Sequence, residues 1–132
     1  MLNALELREG LESLSPALIA TLYRRAPLHR PIHDLDQLWS SYENSTFVLS
    51  AWQNDRLVGI ARGLTDGAFF SFLCDLAVEP DVQRLGVGKF LLGAVQERCS
   101  GTDLLLRDSS GSSSYYPKVG FDKVTNAWIA RR

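Results

Sequence analysis

The chain has 132 residues, 45% hydrophobic and 10% aromatic, enough for one domain over residues 1–132 to bury a core without metal or disulfide staples. Lys+Arg 14 against Asp+Glu 15 leaves a net charge of -1, and the largest basic clusters are only pairs, Arg24-Arg25 and Arg131-Arg132, which argues against a nucleic-acid partner. The first 14 residues mix acids and Arg8 with leucines, unlike a signal peptide, and no apolar run nears the ~18 residues of a membrane span, so no membrane partner is expected.

In chain order, Ala4 to Arg8 reads as a short first strand. Ser15-Pro16 opens a helix, Ser as N-cap and Pro at the first position, with Leu18, Ile19, Leu22 and Tyr23 on one face until Pro27. Asp34 caps a second helix bearing Leu35, Leu38, Trp39 and Tyr42. From Thr46 the period changes to that of strands. Phe47 to Trp52, a turn at Asn54-Asp55, and Leu57 to Leu64 make a hairpin; Asp66-Gly67 turns into a third, almost wholly apolar strand, Phe69 to Val78. Gly86 to Cys99 is helical, with Leu91, Leu92, Val95 and Cys99 as its buried stripe. Leu104 to Leu106 is a short strand that should run parallel to the one before it. Ser112 to Val119 allows one or two helical turns, and Phe121 to Ala130 should supply the last strand or strands. The order implies an α+β fold, a mixed sheet covered by helices. Cys74, Cys99, His29 and His33 are too few and too scattered for a metal site, and two reduced core thiols suit a cytoplasmic setting.

The most informative stretch runs from Cys74 to Lys89: a buried strand, a polar turn, then glycines that open an amphipathic helix. Glycines let backbone N–H groups approach a ligand, and a helix N-terminus favours negative charge, so the chemistry points to phosphate or pyrophosphate. Arg84 and Lys89 add positive charge. A P-loop would need Gly where Gln83 stands and Ser or Thr at Phe90; a dinucleotide fingerprint starting at Gly86 would need Gly at Leu91.

What remains, Gln83-x-x-Gly86-x-Gly88 after a strand ending in Leu76-Ala77-Val78, strongly resembles the acetyl-CoA loop of the GNAT acetyltransferase superfamily. Downstream, Ser112 to Phe121 resembles the superfamily's second landmark, a short helix with an aromatic pair ending at Gly120-Phe121. The resemblance covers about Phe47 to Phe121 and implies a mixed, mostly antiparallel sheet with a parallel, splayed strand pair. It implies acetyl-CoA as cosubstrate and transfer to a primary amine by direct attack in a ternary complex. Leu76, Ala77 and Val78 would meet the pantetheine; Gln83, Arg84, Leu85, Gly86, Val87, Gly88 and Lys89 would meet the pyrophosphate. Ser109 stands where members often have Asn, and Tyr116 matches the tyrosine that protonates the departing thiolate. Tyr115 and Tyr116 can also simply pack against the sheet.

The attacking amine must be neutral. Asp75, the sole charge in an apolar strand, is either the general base or a structural acceptor of bonds from a neighbouring loop. Strand alternation sets it on the face opposite Cys74, Leu76 and Val78 unless a bulge resets the register. Glu79 and a water chain are the other candidates. In the superfamily the N-terminal helices wall the acceptor side, which makes Tyr23, His29, His33, Trp39 and Asp66 available here, and Phe70 and Phe72 lean toward an apolar or aromatic small-molecule amine. Stretches from Trp52 to Phe69 also resemble members related to plastid and cyanobacterial arylalkylamine acetyltransferases. The resemblance allows a homodimer. Two rivals are an acyl-CoA-binding module without turnover and a nucleotide-dependent enzyme.

Overall fold

The computed structural model describes residues 4–26, 28, 30, 32–108 and 114–132, with backbone alone at 83 and 84. Five strands form one sheet in the order β1-β2-β3-β4-β5: β1 Glu6–Glu9, β2 Phe47–Gln53, β3 Arg56–Thr65, β4 Phe70–Val78 and β5 Asp103–Leu106. The first four pair antiparallel, and β5 lies parallel to β4 as a strand reached through a helix must. Asn54 and Asp55, both at positive φ, make the tight β2–β3 turn.

Helices α1 (Pro16–Arg25) and α2 (Leu35–Glu43) cover one face, α3 (Val87–Arg98) the other. The caps form where the local chemistry puts them: Ser15 accepts from the Leu18 N–H at 3.2 Å, and Asp34 from the Gln37 N–H at 3.1 Å. α1 buries Ile19, Ala20, Leu22 and Tyr23, so its inward stripe is rotated away from Leu18, which is exposed. α2 buries Leu38 and Tyr42 and leaves Leu35 outside. Because both faces of the sheet are covered, β2 is buried from Phe47 to Trp52 without alternation. α3 sits tight on β3: a Cβ placed on Gly59 would meet Leu91 Cδ1 at 2.8 Å and Val87 Cγ1 at 2.9 Å.

Two stretches differ from the sequence expectation. The polar turn after β4 is a 3₁₀ helix, Pro80–Leu85. The expected strand from Phe121 to Ala130 does not form: residues 121–132 join no ladder. β-propensity alone does not make a strand; it needs pairing with another strand, and among the described residues this segment makes none.

Candidate active site

The β4–β5 ladder runs from Phe70–Asp103 to Leu73–Leu106 and stops there, while β4 continues to Val78. The cause is local. Against β3, Arg62 pairs with Asp75 and Gly63 with Leu73, so Cys74 is an extra residue, a bulge. A bulge bends its strand and raises the twist, here at the last β5 pair. It also resets the faces: Leu73 packs with the α3 cluster, Asp75 turns to the α1–α2 side, Leu76 and Val78 return to α3, and Ala77 joins the α1–α2 core. β5 itself ends at Leu106, the last pair of the ladder, while β4 runs on to Val78; we call the side of β4 beyond the ladder the wedge.

The wedge leads to the start of α3. Gly86 ends the 3₁₀ helix and caps α3 at φ +82°, a left-handed conformation that side chains other than Gly adopt at a cost. No side chain caps this end and no acid lies in the first turn, so the N–H groups there lack partners within the helix and carry the positive end of the helix dipole, the chemistry that suits an anion. Val87 is buried, Lys89 exposed, and a Cβ on Gly88 would touch only Val78 Cγ2 at 3.8 Å.

Across β4, on the α1–α2 side, Asp75 is 2% exposed and bonded at both oxygens. Oδ1 accepts from Arg30 Nε at 2.6 Å; Oδ2 accepts from Arg62 Nε at 2.7 Å and from the Tyr23 hydroxyl at 2.9 Å. Tyr23 and Tyr42 share a hydroxyl bond of 2.5 Å, and burial is the main reason both phenols titrate well above the usual tyrosine range. Arg30 also donates to the Cys74 carbonyl at 3.0 Å, so one guanidinium ties the α1–α2 loop to the bulge. Burial, with Asp75 adding to it, raises the Cys74 thiol above its ordinary range against the pull of Arg62 and Arg30.

Glu79 is also buried, but it faces Arg25 Nε (2.5 Å) and Arg56 (3.1 Å), and Arg56 reaches Asp81 at 2.9 Å. This network pins the turn that precedes α3. At the far side of the wedge, Tyr116 begins a second 3₁₀ turn, Tyr116–Val119, closed by Gly120 at φ +94° and by Phe121 N–H to Tyr116 O at 3.0 Å. Its ring stands edge-on to Tyr115 (5.3 Å) and Phe121 (5.6 Å) and packs on the cluster that holds Leu104 and Leu106. Burial, then Tyr115 and Asp108, raises its pKa, so the phenol keeps its proton at neutral pH.

The family profile described as "Acetyltransferase (GNAT) domain" matches residues 19–131. The chain belongs to the GNAT acetyltransferases. It is 31% identical over 88 residues to an uncharacterized N-acetyltransferase, ycf52, of Pyropia yezoensis, covering 61% of this chain and 51% of that protein. The chain thus spans about half the length of the curated relatives it matches. Its fold is that of a Deinococcus radiodurans protein described as a putative acetyltransferase (TM-score 0.79, 19% identity, 99% of this chain and 94% of that one). It is likewise that of the ribosomal-protein-S18-alanine N-acetyltransferase of Escherichia coli (TM-score 0.78, 19% identity, 92% and 80%).

Within this GNAT domain the strand end Leu76–Val78, the turn and the α3 start form one continuous stretch beside the wedge. Ser109 and His29 lie outside the described residues. Tyr23 is buried in the Asp75 network, Trp39 packs on the α1–α2 core, and His33 is exposed. Asp66 is an exposed turn former whose Oδ1 takes the N–H groups of Ala68, Phe69 and Phe70, which hold its carboxyl below the usual range. Sequence reasoning missed Arg30, Arg62 and Tyr42. A lone acid inside an apolar strand signals that partners exist, but nothing local says which of 14 cations they are.

Among the described residues no cluster of metal-binding side chains occurs, and none of their helices is long and apolar enough to cross a membrane.

Proposed function

We propose that this chain transfers the acetyl group of acetyl-CoA to a primary amine of a small molecule by direct attack in a ternary complex. The observation that supports the reading is that β4 runs on past the end of its β5 ladder directly to an uncapped helix start opened by Gly86. Main-chain N–H groups from Gln83 to Lys89 hold the pyrophosphate; Leu76, Ala77 and Val78 run beside the pantetheine, and Ser109 adds a hydroxyl. Tyr116, neutral at working pH, supplies the proton that the departing thiolate needs. No covalent acyl-enzyme is required, so no nucleophile–base pair is needed.

Asp75 is 2% exposed and its carboxylate is already engaged by Arg30, Arg62 and Tyr23, which favours a structural role over that of the base. In this reading it positions the bulge and the α1–α2 loop, and water takes the proton. Glu79, engaged by Arg25 and Arg56, positions the pyrophosphate turn.

The test is calorimetric titration with CoA, followed by thiol release from acetyl-CoA with a panel of aliphatic and aryl-ethyl amines, amino sugars and peptide N-termini. Release with a small amine supports the reading. Release with peptides alone moves the acceptor to protein, the kind of acceptor named for the ribosomal-protein-S18-alanine N-acetyltransferase. CoA binding with no release means a module without turnover, and no CoA binding removes the proposal.

A further inference from the structure

Beyond the Asp75 network the α1–α2 side of the sheet is bare. Leu64 of β3, Phe72 of β4 and Leu105 of β5 stand side by side, since Leu64 pairs with Phe72 and Phe72 with Leu105. Leu73, Leu104 and Leu106 turn to the α3 cluster, so alternation sends these three to the opposite face, with Phe70 next along β4. None of the four joins the α1–α2 core, and together they line a shallow depression of about 420 Å³. Phe70 is 63% exposed and Leu64 47%, a contiguous apolar patch of the kind that marks a binding site.

The two ends of this depression differ in charge. Asp66, exposed, lines it at the β3–β4 turn. At the bulge end Arg30 and Arg62 share one carboxylate, Asp75, while Tyr23 and Tyr42 keep their protons, so a net positive charge remains. Arg62 is mostly buried, but 41% of the Arg30 side chain is exposed. Arg30 donates from Nε to Asp75 and from Nη2 to the Cys74 carbonyl. Its Nη1 group and second Nη2 proton have no partner among the described residues. Cys74 lies two positions beyond Phe72, roughly 7 Å along β4.

The β5 ladder stops opposite Leu73, beside this same carbonyl. The α3 cluster, with Tyr116 packed against it, covers the other face, so an amine reaches a thioester in the wedge from the depression. It meets the guanidinium and the apolar floor together. Building on the acetyltransferase reading above, we propose that the acceptor is an α-amino acid with an apolar side chain. Its carboxylate bonds to the unused donors of Arg30, and its side chain lies on Phe72, Phe70, Leu64 and Leu105. Amine and carboxylate on one carbon match a thioester and a cation at the same end of the depression; a simple amine leaves Arg30 unused. The cation also favours the neutral, attacking form of the amine, and Asp66 at the far end disfavours acidic side chains. The neutral nitrogen attacks the thioester carbonyl carbon, the C–N bond forms and the C–S bond breaks. The nitrogen loses one proton to water and the thiolate takes one from Tyr116, giving an N-acetyl amino acid and CoA.

Thiol release from acetyl-CoA tests this. kcat/KM for L-phenylalanine should exceed that for L-phenylalaninamide and for 2-phenylethylamine at least about 10-fold, the effect of one charge-assisted hydrogen bond. The amide has the same body without the charge, and its amine deprotonates more readily, so chemistry without Arg30 would favour it. L-Glutamate should react at least about 10-fold more slowly than L-phenylalanine. Arg30→Gln should lower the ratio of kcat/KM for L-phenylalanine to that for its amide at least about 10-fold, whereas loss of a purely structural arginine lowers both and leaves the ratio unmoved. Phe70→Ser, at an exposed position, should cut the preference for L-phenylalanine over glycine about 10-fold. Equal rates with acid and amide, or a ratio indifferent to Arg30→Gln, overturn the proposal. Release with simple amines but not with amino acids overturns this inference alone; no release with any amine overturns the acetyltransferase reading with it.

Discussion

Asp75→Asn separates a positioning carboxylate from a catalytic base. The substitution keeps the shape and removes the charge that Arg62 and Arg30 face. Arg62, with 14% of its side chain exposed, loses the partner that compensates its burial, and breaking a buried pair in this way costs ~3–5 kcal/mol. Arg30, 41% exposed, is rescued by water and adds at most ~1 kcal/mol. The amide can still accept one bond, which favours the lower end, ~3 kcal/mol. With ~2.1 cal/mol/K of unfolding entropy per residue over 132 residues, the melting temperature should fall by ~11 °C. Urea unfolding measures the free energy and a thermal scan the temperature. The paired replacement Asp75→Leu with Arg62→Met should recover much of the stability, because an apolar pair of similar size avoids desolvation. A base would behave oppositely, with kcat falling a hundredfold or more at unchanged melting temperature. A loss below ~1 kcal/mol together with that fall in kcat would refute the positioning argument.

Tyr116→Phe should lower kcat about 10²-fold and leave CoA affinity unchanged, as measured by thiol release and calorimetry; unchanged kcat removes the phenol from the mechanism. Tyr23 and Tyr42 have raised folded-state pKa values, so the stability they carry is full below the unfolded tyrosine pKa of about 10 and is lost as pH rises above it. Melting temperature should therefore drop steeply beyond pH ~10, and the Tyr23→Phe, Tyr42→Phe double variant should flatten that limb, which a pH series of thermal scans checks. Gly86→Val meets no steric clash with the protein but must adopt φ +82°, costing ~1–2 kcal/mol. Its melting temperature should fall by a few degrees while CoA titration heat disappears; retained CoA affinity would separate this glycine from the pyrophosphate turn.

Much of the fold was legible because its signals are local. Ser15-Pro16 and Asp34 open helices through bonds reaching three residues along the chain, and Asn54-Asp55 turns the hairpin through its own backbone. The parallel placement of β5 follows from the single crossover helix before it. Gly86 and Gly88 could be singled out because a helix start leaves a residue-type signature, whereas Tyr116 and Gly120-Phe121 stood out through resemblance to the superfamily's second landmark. The bulge at Cys74 could be named only as a condition, since two-residue alternation runs through Cys74-Asp75-Leu76 whether or not a residue is extra. Phe121 to Ala130 misled for the same reason: residue type speaks of strand propensity, whereas a ladder needs a second edge.

The sequence by itself determined where the helices start, where the β2–β3 hairpin turns and that glycines open α3, because those properties depend on contacts within a few residues. Tertiary structure alone decided where β4 leaves β5 and which cations surround Asp75. It also decided that residues 122–132 join no ladder among the described residues. Arg30, Arg62 and Tyr23 lie 45, 13 and 52 positions from Asp75. Charge and hydrogen-bond pairing across such distances is chosen by packing, which no short stretch of sequence encodes.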